Sequence, residues 1–201
     1  MQRSPFCHRA LLTLEEKNLK YTMTFVDLGN KPAWLFEKNA KGTVPIMEQD
    51  GKIIPDSDVI VNLLEEQVPS PSLKNPNAEA DAIMKGNTCF KQARDFVKMH
   101  GGDEEKAKEA ELLKELRQIE DYLKAHGPLF GGNKVCQADF AVAPKLYHIT
   151  TALPVLKNWN LPADFTAIPK YLDMVGLDSL RLFFPIPTAI LKGCCPFRPR
   201  R

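Results

Sequence analysis

Apolar and polar positions alternate along this chain in two textures, with a change of pattern near residue 70. Phe6, Ala10, Leu11 and Leu14 recur at helical spacing, which predicts a helix over 5–17 with Ser4 as N-cap and Pro5 as its first residue. Tyr21 to Leu28 is rich in β-formers and stops at Gly29-Asn30, so it reads as a strand; Lys31 to Lys38 reads as a short helix opened by Pro32. Gly42-Thr43-Val44-Pro45 forms a turn into a strand. Asp50-Gly51 is a two-residue hairpin signal pairing Ile46–Gln49 with Lys52–Ile54, and a helix over 58–67 closes the unit. The order helix, strand, helix, strand, strand, helix is that of a thioredoxin-like fold without its first strand. Only Met1, Gln2 and Arg3 precede the first helix, so a central sheet position is expected to be unfilled, the domain destabilised by the open edge, and the start of the chain shortened or misassigned.

The proline-rich stretch Val-Pro-Ser-Pro-Ser-Leu-Lys-Asn-Pro at 68–76 cannot be helical and reads as a linker. Beyond it the period is helical throughout. Ile83, Phe90 and Val97 recur at spacing seven in one expected helix, and Leu112, Leu116, Ile119 and Leu123 at spacings of four, three and four in the next; these stripes are core. Cys136-Gln137-Ala138-Asp139 opens a further helix as a capping box in which a thiol stands where a hydroxyl is usual, at a modest cost. The expected class is therefore α/β plus all-α: a thioredoxin-like domain at 1–67, a linker at 68–76, and an all-helical domain at 77–201 ending in the basic tail Phe197-Arg198-Pro199-Arg200-Arg201.

Length and charge narrow the partners. With 201 residues and 44% hydrophobic content, the chain can bury a substantial core as two small domains. Its 27 basic residues nearly balance 25 acidic ones, which gives no electrostatic reason to expect nucleic acid. Five cysteines without scaffold or zinc spacing suit a reducing compartment. No signal peptide and no apolar run long enough for a membrane span is apparent, so the chain reads as cytoplasmic, and no metal is expected.

The candidate chemistry sits at the first helix. Ser4, Pro5 and Cys7 fall within one turn, where unpaired N–H groups and the helix dipole favour an anion, so a thiolate at Cys7 would be stabilised. Against that stands a plain good helix start with a small buried thiol. Both readings are open at this point.

The run SPFCHRALLTLEEKNLKY resembles the dehydroascorbate reductases of plants and green algae, a branch of the glutathione transferase superfamily near the chloride intracellular channel proteins, whose signature is C-P-F-[CS]-x-R-x-L-L-T-L-E-E-K. NKPAW at 30–34, KGTVPIM at 41–47, PDSDVIVNLLEE at 55–66 and ADFAVAPKLYH at 138–148 continue the likeness in the same order. The resemblance implies glutathione-dependent reduction of dehydroascorbate to ascorbate, with glutathione as co-substrate, a monomer, and ascorbate recycling as the role. It implies that Val44, before a cis Pro45, presents its backbone to the cysteinyl part of glutathione. Asp56 and Ser57 would take the γ-glutamyl group, Lys31 the glycine carboxylate, and His148 would contact ascorbate. A chloroplast location is the alternative should an upstream transit segment exist.

Two departures from the pattern bear on activity. The family's nucleophile position, the first of C-P-F-[CS], is Ser4 here, and the family's C-terminal Gly-Trp motif is replaced by Gly193-Cys194-Cys195. A serine cannot form the protein–glutathione disulfide, so impaired activity is expected unless Cys7 substitutes. Two other readings follow: a serine-type glutathione transferase, and a non-catalytic glutathione-binding or interaction protein.

Overall fold

The computed structural model describes residues 4–175; the Gly193-Cys194-Cys195 segment and the basic tail lie outside the described residues. The chain divides into two compact units between Lys74 and Asn75.

The first unit runs α1 (Pro5–Glu16), α2 (Ala33–Lys38), β1 (Ile46–Gln49), β2 (Lys52–Pro55) and α3 (Ser57–Gln67). Ser4 is extended ahead of α1, and Pro5 supplies a pre-set φ where a missing N–H costs nothing. The strands pair antiparallel, Ile46 opposite Pro55 and Gln49 opposite Lys52. Their two-residue turn needs positive φ at both positions, and Asp50 (51°) and Gly51 (75°) provide it. Ala10, Ile60 and Leu64 form the small core, joined by Leu14, Leu19, Met47 and Ile54.

Two expectations for this unit are corrected. Phe6 is 42% exposed, so the apolar stripe of α1 takes hold only from Ala10 onward. A second face, Pro5, His8, Arg9, Leu12 and Thr13, is also buried, its polar members held by bonds such as Thr13 Oγ1 to the Arg9 carbonyl at 3.0 Å. Tyr21 to Leu28 carries no strand, because β-propensity needs a ladder partner and the sheet of the described residues is the β1–β2 hairpin alone. Of that run, Val26 is buried while Phe25 is 65% exposed.

Residues 68–73 are pinned to the first unit. The fully buried ammonium of Lys17 pairs with Glu65 at 2.7 Å and donates to the Pro71 carbonyl at 3.0 Å, while the Glu65 carboxylate accepts from the Leu73 N–H at 3.2 Å.

The second unit is helical: α4 (Ala78–Gly86), α5 (Cys89–Lys98), α6 (Gly102–His126), α7 (Gln137–Lys157) and α8 (Ala167–Met174). The expected single helix through Ile83, Phe90 and Val97 is broken at Asn87-Thr88. Asn87 Nδ2 donates to the Glu115 carbonyl at 2.8 Å, and the Thr88 N–H goes to the Glu115 carboxylate, so contacts with α6 replace intrahelical bonds. Leu112, Leu116 and Ile119 of α6 are fully buried.

α7 is the centre of this core and opens on the anticipated capping box. The Asp139 carboxylate accepts from the N–H of Cys136 at 2.8 Å and of Phe130 at 2.9 Å, so the acidic half of the box carries the cap where the thiol is a weak partner. α8 begins on a partner from another helix. Glu120 of α6, with no exposed surface, accepts from the N–H groups of Thr166 (2.7 Å), Ala167 (2.8 Å) and Ile168 (2.9 Å). Among the described residues no helix is long and apolar enough to cross a membrane.

Candidate active site

The register of the hairpin brings two candidate segments to one end. Ile46 faces Pro55 across an antiparallel rung, where Cα atoms lie about 5 Å apart. Val44-Pro45, entering β1, and Asp56-Ser57, leaving β2, therefore flank the same rung. The Val44–Pro45 peptide bond is cis. Val44 is half-buried outside the ladder, and among the described residues no hydrogen bond engages its N–H or its carbonyl. Its N–H and carbonyl are open to pairing with an extended backbone.

Asp56 holds a φ of 75°, rare for a residue with a Cβ and a known mark of functional positions. Its carboxylate accepts from the Asp58 N–H at 2.7 Å, capping α3, and its carbonyl accepts from the Ile60 N–H at 3.0 Å. Ser57, 3% exposed, is the first residue of α3, where N–H groups and the helix dipole favour a carboxylate ligand.

Arg9 connects this end of α3 to α1. Its buried guanidinium forms an ion pair with Asp58, which fixes the helix start that carries Ser4 and Cys7 against the helix start that carries Asp56 and Ser57. Sequence reasoning missed this tie. Its one local signal is a charged residue inside the apolar first half of α1.

Ser4 caps α1 without a side-chain bond to the helix backbone; its hydroxyl instead meets the Cys7 thiol. Of the two open readings of Cys7, burial favours the small buried thiol. Burial pushes the Cys7 thiol from 9.0 up to about 11, and the bonds from Ser4 and the backbone offset this only in part. At neutral pH Cys7 is a thiol, a poor nucleophile.

Lys31 is exposed, its ammonium 5.9 Å from the centroid of the Phe36 ring. No described contact ties it to the other predicted site residues. His148 belongs to the second unit, on α7, half-buried with its ring edge-on to Phe90 at 6.0 Å. Cys89 and Cys136 are buried, and burial raises each to about 12, in keeping with packing residues. Among the described residues no group of three or more His, Cys, Asp or Glu side chains is placed to hold a metal ion.

Comparison with known proteins places this geometry in a family. Residues 3–67 match the family described as Glutathione S-transferase, N-terminal domain. A probable cytosolic glutathione S-transferase DHAR1 of Oryza sativa subsp. japonica is 43% identical over 170 residues, 84% of this chain and 78% of that relative. The chloroplastic glutathione S-transferase DHAR3 of Arabidopsis thaliana is 42% identical over 85% of this chain and 64% of its own length. Among solved structures, the Chlamydomonas reinhardtii dehydroascorbate reductase superposes with a TM-score of 0.80 at 40% identity, over 96% of this chain and 90% of that one. A Tau class glutathione S-transferase from mango reaches the same TM-score at 22% identity and shares the fold. The cis-Pro hairpin, the capped start of α3 and the Ser-Pro start of α1 thus sit in a thioredoxin-like glutathione transferase unit, and the chain belongs to the dehydroascorbate reductase branch of the glutathione transferase superfamily.

Proposed function

We propose that this protein reduces dehydroascorbate to ascorbate with glutathione, and that the attacking sulfur is glutathione's own, held by Ser4. The observation that carries the second part is the pair Ser4 and Cys7: a hydroxyl at the usual nucleophile position beside a thiol pushed up to about 11. The family membership carries the first.

In this reading Val44 binds the cysteinyl backbone of glutathione, Asp56 and Ser57 the γ-glutamyl end, and Lys31 the glycine carboxylate. Ser4 donates a hydrogen bond to the glutathione sulfur, which favours its thiolate near the α1 N-terminus. The thiolate adds to a carbonyl carbon of dehydroascorbate and forms a C–S bond. A second glutathione thiolate attacks that sulfur; the S–S bond forms, the C–S bond breaks, and its electron pair leaves on ascorbate. Two glutathione thiols are oxidised to one disulfide, and the substrate gains two electrons and two protons. His148 is the candidate contact for the ascorbate ring.

Without a protein thiolate the reaction loses one covalent intermediate, so turnover is expected to be slower than with a cysteine at position 4. A serine-type transferase reading is favoured by the same Ser4 hydroxyl and differs in outcome: conjugation of an electrophile in place of disulfide formation. The protein is read as a monomer in the cytosol or the chloroplast, with no nucleic-acid partner given its near-balanced charge.

The test is the ascorbate absorbance produced from dehydroascorbate and glutathione by the parent, Ser4→Ala and Ser4→Cys chains. The proposal expects turnover above the buffer rate, most of it lost in Ser4→Ala and an increase in Ser4→Cys. A parent at the buffer rate for dehydroascorbate that conjugates an electrophile, with that conjugation lost in Ser4→Ala, would favour the transferase.

A further inference from the structure

We infer that Asn39 is a positioning residue for glutathione: it aims the Val44 N–H by gripping the other end of the same peptide plane. Asn39 Nδ2 donates to the Thr43 carbonyl at 2.9 Å and to Thr43 Oγ1 at 2.9 Å. The Thr43 carbonyl and the Val44 N–H belong to one planar trans peptide unit and point in opposite directions. Fixing the first therefore fixes the second.

Asn39 is itself immobilised. Its N–H donates to the Leu35 carbonyl at 2.8 Å as the C-cap of α2, its carbonyl accepts from the Gly42 N–H at 2.7 Å, and its Oδ1 accepts from the Lys41 N–H at 3.3 Å. With Oδ1 facing an N–H and Nδ2 facing a carbonyl, the amide has one satisfied orientation. Gly42 completes the device. A Cβ there would run into the ring of the exposed Phe36, which would have to swing aside, and its φ of 57° strains most side chains, so the turn favours glycine.

This inference rests on the reading that Val44 binds glutathione. Its test uses Asn39→Asp, which keeps the shape, loses the donor and sets a carboxylate against the Thr43 carbonyl, with Asn39→Ala as the second variant. Lys38→Met, which removes only the surface pair with Glu48, is the control. Glutathione affinity is measured by calorimetry below the melting temperature of each variant, KM for glutathione and for dehydroascorbate are measured separately, and the Val44 amide is followed by NMR in the free protein. The inference expects about tenfold weaker glutathione binding, a matching rise in KM for glutathione with KM for dehydroascorbate unchanged, a shifted Val44 amide, and parent behaviour in Lys38→Met. A parent chain that binds no glutathione overturns the binding reading and this inference with it. A parent that binds, with Asn39→Asp and Asn39→Ala binding equally well, overturns this inference alone.

Discussion

Cys7 should alkylate about a hundred times more slowly at pH 7.5 than an ordinary thiol. With its thiol pushed up to about 11, the thiolate fraction at pH 7.5 is about 3 × 10⁻⁴, against about 3 × 10⁻² for a group at the ordinary 9.0. Because the thiolate is the reactive form, the rate follows that fraction. The assay is site-resolved: iodoacetamide labelling of the Cys7 peptide by mass spectrometry across pH 7 to 11, which separates it from the other four cysteines. Ser4→Ala removes a hydrogen bond that favours the thiolate, so the inflection moves further up in that variant. The folded value is raised, so the associated stability is present below pH 9 and lost as pH rises through 9 towards 11. Its size is about 3 kcal/mol, and the loss should be absent from Cys7→Ala. An inflection at or below pH 8.5 would refute the reasoning and restore Cys7 as a nucleophile.

Other outcomes follow from the packing. Ser4→Ala should cost under about 0.5 kcal/mol in urea unfolding, well below the roughly 1 kcal/mol of an ordinary cap, because Ser4 makes no capping bond; a loss above 1 kcal/mol would mean that it does. Gly42→Ala should lose stability by about 1–2 kcal/mol from φ alone, before the Phe36 clash, and unchanged melting would contradict that geometry. Leu116→Ala, at a site with no exposure, should lose about 2–5 kcal/mol. At Glu120 burial pushes the carboxyl up, but the N–H groups of Ala167, Ile168 and Thr166 and the Lys124 ammonium outweigh it and hold it at about 2. Being lowered, it contributes stability present above about pH 4.5 and lost as pH falls towards 2, about 3 kcal/mol in all; an acid unfolding curve identical in Glu120→Gln would argue against it.

Local chemistry made part of this legible. Asp50-Gly51 announced its hairpin because a two-residue turn demands positive φ, which those residue types tolerate, and the α6 leucines announced a buried stripe by their spacing alone. What failed was set by distant partners. Glu115 is what splits the helix expected through Phe90, and it lies 27 residues from Thr88. Tyr21 to Leu28 has the residues of a strand, but pairing decides strands, and its ladder does not form among the described residues. At the site, motifs point to Ser4, Val44, Asp56 and Ser57, and the hairpin register explains why the last three flank one rung. Arg9 and Asp58, 49 residues apart, and the grip of Asn39 on Thr43 carry no motif. Between the two readings of Cys7 that the sequence leaves open, magnitude favours the buried thiol. A helix start contributes about 0.3–1 kcal/mol to an anion at an exposed site, whereas burial costs more.

The central claim is that glutathione sulfur, and no protein sulfur, attacks dehydroascorbate. The measurement that bears on it most directly is the glutathione-dependent rate of Cys7→Ser relative to the parent. A ratio near one is the expected result; abolished turnover in Cys7→Ser, with the fold intact, would contradict it and make Cys7 the nucleophile.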